Sequence, residues 1–320
     1  MEHDKMLKKM EKYGKSVGES PCVATVGTFD GVHSGHRFMV DCVVRQAHER
    51  GLDALVVTFP NHPAQVLHSV TRTHLLTLAE EKVSLLLAAG VDRVVMLPFT
   101  EEVASMTASE FMRVVLKEDL HVQTLVMGYD NRFGHDRMNF GSCQAIGAAM
   151  GIEVVACDEL KGEGKISSTM VRNALLEGDV EHARNLLGYN YFLQGEVVQG
   201  FQNGRKLGYP TANLQVDANK LIPENGAYFV RCQFSTFNSQ PSNLFGMLNV
   251  GTRPTLHNGQ QRSVEVHLFD YEGDLYGATL KVELLRHLRR EREFDSLEEL
   301  RIQLAEDEKA CRSLLSNTPV

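Results

Sequence analysis

The feature that most constrains the fold is an alternation of short apolar runs with helical patterns from Cys22 to about Leu187. The runs are rich in Val, Ile and Leu, which is typical of strands covered on both faces of a sheet. The segments between them carry apolar residues at three- and four-residue spacing. The predicted strands are Cys22–Phe29, Ala54–Phe59, Arg93–Leu97, Thr124–Gly128 and Ile152–Cys157, and the predicted crossover helices are Arg37–Arg50, Leu78–Ala89 and Ser109–Leu120. This order predicts a doubly wound, Rossmann-like α/β domain with a parallel sheet.

The pattern changes after Tyr189, where short strands are separated by turns rich in Gly, Asn and Pro. Examples are Phe192–Val198, Tyr228–Phe234 and Ser263–Phe269, and this texture predicts an antiparallel barrel or sandwich. Only the end returns to a helical pattern, which begins with a capping-box pair, Ser296 and Glu299. We therefore expect two domains, residues 1–189 and residues 190–320.

The composition agrees with two folded domains and argues against nucleic acid as a binding partner. The 320 residues include 33 Lys and Arg against 41 Asp and Glu, a net charge of -8, and both predicted domains are acidic. Proteins that hold nucleic acid by counterion release are basic, so nucleic acid is not expected as a partner. No apolar run is long enough for a membrane helix, and the first residues lack the apolar core of a secretory signal. The six cysteines have no metal-like or redox spacing, and we expect reduced thiols and a cytoplasmic location.

A histidine-containing segment, Gly27–His36, follows the first predicted strand and opens the first helix. Ligands of open parallel sheets bind at this edge, beyond the carboxyl ends of the strands. Its glycines allow the backbone to approach a polyanion, and the helix start offers unpaired N–H groups. His33 and His36 could then both face the phosphates of a nucleoside triphosphate. A single histidine would more often be structural, but the H-x-G-H spacing at a strand-to-helix turn favours a phosphate site.

Two further segments carry polar residues suited to phosphate. Ser167, Ser168 and Thr169 stand before a helical pattern, with Arg172 on its first turn, where hydroxyl groups and a guanidinium can meet phosphate. In the second domain, Thr211 and Asn213 lie two apart on an extended segment that follows Gly204 and Gly208, and their oxygens are suitable ligands for Mg²⁺. The simpler alternatives are an ordinary helix cap for the first segment and a solvated edge strand for the second.

The order of these motifs resembles a known family. The H-x-G-H segment resembles the nucleotidylyltransferase superfamily. The later blocks resemble bacterial bifunctional riboflavin kinase/FMN adenylyltransferases, also called FAD synthetases. Those blocks are Thr58–Pro63, Leu76–Lys82, Gly128–Gly134 and Ile166–Arg172 in the first domain, and Gly204–Asn213, Asn249–Thr255 and Val264–Asp270 in the second.

The resemblance implies a nucleotidylyltransferase domain that transfers the adenylyl group of ATP to FMN, giving FAD and pyrophosphate. His33 and His36 would be its catalytic residues, and Asp130 and His62 would bind the flavin. Without the resemblance, Asp130 would be an ordinary turn residue. The ATP-binding residues implied by the resemblance are Gly27, Thr28, Phe29, Gly31, His33, His36, Ser168, Thr169 and Arg172.

For the second domain the resemblance implies a small β-barrel that phosphorylates riboflavin with ATP. Glu265, otherwise a solvent-facing strand residue, would be the general base for the riboflavin 5′-hydroxyl, and Arg289 would contact the flavin. Thr211 and Asn213 would hold Mg²⁺. The ATP-binding residues implied for this domain are Gly204, Gly208, Pro210, Thr211 and Asn213.

Two alternatives remain at this point. One is a riboflavin kinase alone, with a degenerate nucleotide-binding first domain. The other is a non-catalytic flavin or nucleotide sensor, although a binding module needs no base and metal ligands together. The expected ligands are riboflavin, FMN and ATP, with FMN and FAD as products, and the sequence implies no particular oligomeric state.

Overall fold

A computed structural model describes residues 10–14, 20–61, 74–128, 131–157, 166–200, 204, 207–235, 244–254 and 260–316. The chain divides into two compact units, Met1–Ser168 and Thr169–Val320. None of the helices in these ranges is long and apolar enough to cross a membrane. The predicted boundary after residue 189 stays a prediction.

The first unit is built on a six-stranded sheet in the order β1-β4-β3-β2-β5-β6. All neighbours are parallel except β1, which pairs antiparallel with β4 at one edge. The strands are β1 Glu11–Gly14, β2 Cys22–Val26, β3 Asp53–Thr58, β4 Arg93–Met96, β5 Val122–Gly128 and β6 Glu153–Cys157. The predicted doubly wound sheet is confirmed. The chain reverses direction across the sheet on either side of β2, and ligands bind at such a reversal.

Helices cover both faces of this sheet, as the apolar strands require. They are α1 Ser34–Arg50, α2 Ala79–Ala88, α3 Glu101–Ser105, α4 Ala108–Phe111 and α5 Phe140–Met150, and a π-helical stretch Met112–Asp119 continues α4. Alternate strand residues enter two separate cores: Cys22 and Ala24 lie in one, and Val23 lies in the other. Gly51 ends α1 in the left-handed conformation, which favours glycine.

The second unit contains a closed six-stranded antiparallel barrel in the order β10-β11-β8-β7-β12-β9, which confirms the barrel prediction. Two helices, α6 Ser168–Leu176 and α7 Val180–Leu187, precede it, and α8 Leu297–Ser316 follows it. The strands are β7 Phe192–Val198, β8 Ala212–Val216, β9 Gly226–Ser235, β10 Leu244–Pro254, β11 Gln260–Leu268 and β12 Thr279–Arg290. Closure pairs β9 with both β10 and β12 and leaves no free strand edge in the described barrel.

Candidate active sites

The loop between β2 and α1 has an unusual backbone. Phe29, Gly31 and Val32 have φ angles of 46°, 85° and 38°, in the left-handed region that favours glycine. For Phe29, and still more for the β-branched Val32, this conformation is strained and persists only where neighbouring contacts impose it. Such strain is concentrated at ligand sites.

The contacts that hold this loop come largely from Leu76 and Thr77, just before α2. The buried Asp30 carboxylate accepts hydrogen bonds from Leu76 N (2.9 Å) and Thr77 N (3.1 Å). The Thr77 hydroxyl oxygen in turn accepts from Gly31 N at 3.0 Å. Ser168 Oγ donates to the Asp30 carbonyl at 2.8 Å, so this predicted site residue reaches the loop through the main chain.

The two predicted histidines meet at the amino end of α1. His33 is the N-cap, and its Nδ1 accepts from His36 N at 3.3 Å. The two rings stack with centroids 3.6 Å apart and 17° between their planes, and the Phe29 ring lies 5.1 Å from His36. His33 is only 4 % exposed. The spacing predicted that both rings face one ligand, and the structure brings them into contact.

Burial keeps both imidazoles neutral. It lowers the pKa of His33 to about 4, against a smaller opposing effect of Asp30. Burial also holds the pKa of His36 well below its ordinary value, and the neighbouring His33 and Lys82 lower it further. Because Nδ1 of His33 is an acceptor, its neutral form carries the proton on Nε2. The neutral rings therefore present N–H donors at the amino end of α1, where the helix dipole is positive.

Lys82 is a site residue to which the sequence assigned no role. It is 2 % exposed, and its Nζ donates to the carbonyl oxygens of Thr28 and Phe59, both at 2.8 Å. Burial lowers its pKa to about 8, although the Asp30 carboxylate opposes this shift. A signal was present in the sequence, because Lys82 is next to Val83 and four residues before Leu86, both on the buried side of α2.

The other predicted residues of the first site are placed as follows. Gly27 N donates to Val57 O at 3.1 Å, which ends the ladder between β2 and β3. Thr28 O also accepts from the Thr58 hydroxyl at 3.0 Å. Thr169 and Arg172 lie on α6 and belong to the second compact unit. The flavin-binding predictions for His62 and Asp130 fall outside the described residues.

The second candidate site lies where β8 meets β11 in the barrel. Asn213 pairs directly with Glu265 across the two strands, and Thr211 Oγ1 donates to Glu265 Oε2 at 3.3 Å. Asn213 is 8 % exposed, and Glu265 is half-buried. Thus the structure brings the predicted base, Glu265, next to both predicted metal ligands, which lie more than 50 residues before it in the sequence.

Glycines shape the approach to this group. Gly204 O accepts from Leu207 N (3.0 Å) and Tyr209 N (2.9 Å), and a Cβ at Gly204 would lie 2.2 Å from Tyr209 O. Only glycine therefore fits there without displacement of the main chain. Gly208 has a φ of 83°, and Pro210 O lies 2.8 Å from His267 Nδ1. These contacts fix the turn that leads into Thr211.

The donor atoms at this site suit Mg²⁺. Hydroxyl, amide and carboxylate oxygens are hard ligands of the kind that Mg²⁺ prefers, and this ion is usually shared with substrate phosphates rather than enclosed by protein. Within the described ranges, no cluster of three His, Cys, Asp or Glu residues could hold a metal by itself. A sparse oxygen set of Thr211, Asn213 and Glu265 fits an ion that arrives with a nucleotide.

A pocket of about 340 Å³ opens on the same side of the barrel. Thr211 and Ala212 form one wall, and Val197, Leu275 and Tyr276 contribute apolar surface. Tyr276 is half exposed (50 %). The pocket has the mixed apolar and polar lining of small-molecule sites.

Arg289, the predicted flavin contact, forms a buried ion pair. Its Nε and Nη2 atoms donate to Asp307 of α8 at 2.8–3.1 Å, and Asp307 is 5 % exposed. Gln303 donates to the same carboxylate at 2.9 Å. This arrangement ties β12 to α8, and the flavin contact of Arg289 stays a prediction.

Comparisons with known proteins match both halves of the chain. A family model described as FAD synthetase matches residues 15–170, and one described as riboflavin kinase matches residues 187–315. The bifunctional riboflavin kinase/FMN adenylyltransferase of Escherichia coli (strain K12) is 36% identical over 299 residues, which cover 93% of this chain and 94% of the relative. That of Pseudomonas fluorescens is 38% identical and covers 92% and 93%.

A solved structure agrees over both units. A crystal structure from Streptococcus pneumoniae, described as a macrolide-efflux protein, has a TM-score of 0.85 at 32% sequence identity and covers 96% of this chain and 97% of its own. Together with the two family models and the curated relatives, this likeness extends over nearly the whole chain. The chain belongs to the family of bifunctional riboflavin kinase/FMN adenylyltransferases.

Proposed function

We propose that this chain makes FAD from riboflavin in two ATP-dependent steps, each carried out by its own site. The barrel phosphorylates riboflavin to FMN, and the α/β unit transfers the adenylyl group of a second ATP to FMN. The observation that carries the proposal is the stacked His33–His36 pair at the start of α1. Because both family models match, a kinase with a degenerate first domain is not favoured.

In adenylyl transfer, a phosphate oxygen of FMN attacks the α-phosphorus of ATP, and the bond from that phosphorus to the bridging oxygen of pyrophosphate breaks. Negative charge builds up on the α-phosphate and on the leaving pyrophosphate. The ring N–H groups of His33 and His36 and the positive end of the α1 dipole stabilise this charge. Ser168, Thr169 and Arg172 are proposed to bind the same phosphates, and His62 and Asp130 are proposed to bind the flavin.

In phosphorylation, Glu265 removes the proton from the riboflavin 5′-hydroxyl while the hydroxyl oxygen attacks the γ-phosphorus of ATP. The bond from that phosphorus to the bridging oxygen breaks, and ADP leaves. Thr211 and Asn213 would hold Mg²⁺, which would neutralise phosphate charge when bound. The hydrogen bond from Thr211 orients the Glu265 carboxylate. Gly204, Gly208 and Pro210 are proposed to shape the loop that binds ATP. Arg289 is proposed to contact the flavin.

We further propose that the division into residues 1–189 and 190–320 separates the two functions, and that the enzyme works in the cytoplasm. ATP is available there, and the six cysteines are buried free thiols. Small molecules are the proposed ligands.

The test is a chromatographic product assay from riboflavin plus ATP. His36→Ala should lower FAD formation by about 10²-fold or more while FMN accumulates, because charge stabilisation at the α-phosphate is lost. Glu265→Ala should lower FMN formation by about 10²-fold, yet still form FAD when FMN is supplied. His48→Ala, an exposed histidine of the same helix, and Glu196→Ala, an exposed barrel glutamate, are the matched controls.

The same assay separates the alternatives. Accumulation of FMN alone from the unaltered chain would indicate a kinase without adenylyl transfer. Binding of flavin or ATP with no product would indicate a sensor. Loss of both activities in both variants, with the fold intact, would refute the division of labour.

A further inference from the structure

Two main-chain carbonyl groups lie at the carboxyl edge of the parallel sheet, next to the histidine loop. Thr28 follows β2 and Phe59 follows β3. The ladder between these strands ends where Gly27 N donates to Val57 O, so neither carbonyl has a partner in that ladder. A carbonyl oxygen carries partial negative charge, and unpaired carbonyls at this edge would repel a triphosphate.

Lys82 supplies the missing partner to both groups. Its ammonium donates to each carbonyl oxygen at 2.8 Å from inside the protein. The Thr58 hydroxyl donates a second bond to Thr28 O, so the two strand ends are linked through one carbonyl. One buried cation thus fixes the main chain on both sides of the site.

Among the described residues, one carboxylate and one neutral imidazole face Lys82. Asp30 faces it from the histidine loop, and His36 faces it from α1. From β3 the neighbours are Thr58 and Phe59, which carry no charge. Asp30 accepts bonds from Leu76 N and Thr77 N, so its carboxylate is stabilised by neutral donors of the α2 start. The positive charge of Lys82 therefore acts on the Asp30 carboxylate, on the two carbonyls and on the histidine side of the site.

We propose that Lys82 is a positioning residue for adenylyl transfer: its ammonium neutralises the Thr28 and Phe59 carbonyls and holds the histidine loop in the geometry that accepts the triphosphate. The inference rests on the proposed function of this site. Lys82 acts through the main chain and need not touch the substrate. The pKa of Lys82, about 8, makes this contribution titratable near neutral pH.

A purely structural role makes different predictions. If Lys82 only stabilised the unit, its loss would lower the active fraction and so kcat, with KM for ATP unchanged. If it neutralises carbonyls at a polyanion site, its loss raises KM for ATP as well. Riboflavin phosphorylation in the other unit reports general damage to the chain.

The experiment compares full-length Lys82→Met, which keeps the shape but removes the charge and donors, with Lys82→Arg, which keeps the charge. The matched control is Lys117→Met, an exposed lysine of the same unit that also donates to a main-chain carbonyl, that of Met150. We expect Lys82→Met to lower kcat/KM for ATP in adenylyl transfer about tenfold or more and to raise KM, with the kinase rate within about twofold of the original. Lys82→Arg should recover part of the loss.

The pH profile provides a second measurement on the unaltered chain. Its kcat/KM for ATP in adenylyl transfer should fall as the pH rises through about 8, because Lys82 loses its proton. Lys82→Arg should lack this fall, because a guanidinium stays protonated. The same fall in Lys82→Arg would overturn the proposal even if Lys82→Met does not fold.

His36→Ala, assayed in parallel, separates failure of this inference from failure of the proposed function. If His36→Ala abolishes adenylyl transfer but Lys82→Met leaves KM and kcat for ATP within about twofold, only the role of Lys82 is refuted. If His36→Ala retains adenylyl transfer, the proposed site itself is wrong.

Discussion

At the scale of single residues, protonation is what distinguishes His33 and His36 from ordinary surface histidines. Both rings are kept neutral by burial, and His33 accepts a hydrogen bond from the main chain of its partner. A neutral ring can donate to phosphate without paying the repulsion between two stacked cations. For the proposed function, this means that the rings are already in the protonation state that a phosphate requires.

Because His33 is neutral in the folded chain, the first unit should be less stable at acidic pH. The pKa of His33 is about 4 in the folded chain against 6.5 for an exposed imidazole, so between these pH values the unfolded chain binds more protons. Stability of the first unit should fall as the pH drops from 6.5 to 4, by up to about 3 kcal/mol from this group. His33→Asn should reduce that fall, because the titrating ring is gone.

Urea unfolding of the first unit at several pH values between 4 and 7 measures the effect. His48→Asn, at an exposed position of the same helix, is the control and should leave the pH dependence unchanged. Parallel curves for the original chain and His33→Asn would contradict the assignment.

The sequence predicted which residues meet at this site, but it did not predict that the two histidine rings stack or that they are neutral. The H-x-G-H spacing at a strand-to-helix turn was sufficient to bring His33 and His36 together. Their neutrality depends on burial, which the charge of Lys82 reinforces at His36, and Lys82 comes from α2, more than 40 residues away in sequence. A charged residue on the buried side of a helix was the signal for Lys82.

At the scale of elements, the strands that pack on both faces were the most predictable, because their apolar content reflects that burial. β1 was not predicted. Three of its four residues are polar or glycine, so the sequence shows no alternation of apolar and polar residues there. Pairing with β4 decides its conformation. The helix predicted over Ser109–Leu120 is present but largely π-helical, and its apolar spacing does not distinguish the two helix types.

The ion pair between Arg289 and Asp307 gives a prediction about elements. Asp307→Asn should destabilise the attachment of α8 to β12 by about 3 kcal/mol, because it leaves a largely buried guanidinium without its counter-charge. Thermal unfolding of the second unit measures the loss. The control is Glu298→Gln, which breaks an exposed pair with Arg301 on the same helix and should leave the transition unchanged.

Kinetics on the same variants test the flavin contact predicted for Arg289. If the guanidinium also touches the flavin, Arg289→Lys should raise KM for riboflavin more than Asp307→Asn does. Equal, small changes in KM would show that Arg289 serves only to hold α8.

At the scale of the whole molecule, residues 169–189 fall in the same compact unit as the barrel, whereas the boundary predicted from the sequence lies after residue 189. Glu224 N donates to Leu175 O at 2.9 Å, and a Cβ at Gly178 would lie 2.6 Å from His287 Nδ1. Val171 and Leu187 are fully buried. The change in sequence texture near residue 190 marks where the barrel strands begin, which need not coincide with the edge of a compact unit.

Two fragments test this placement. We expect residues 169–320 to unfold at least about 5 °C higher than residues 190–320, because the shorter fragment loses the apolar burial of α6 and α7. Calorimetry measures the transitions, and riboflavin phosphorylation shows that each fragment is folded. Equal unfolding temperatures would favour the boundary at residue 190.

The closed barrel also affects where partly unfolded molecules can associate on heating. A closed sheet presents no row of unpaired N–H and C=O groups, whereas the sheet of the first unit ends at β1 and β6. The exposed Glu153 of β6, paired with Arg50, places charge on one of these edges. Among the described strands, β1 and β6 are thus where a second chain could add a strand, so self-association of partly unfolded molecules should begin in the first unit.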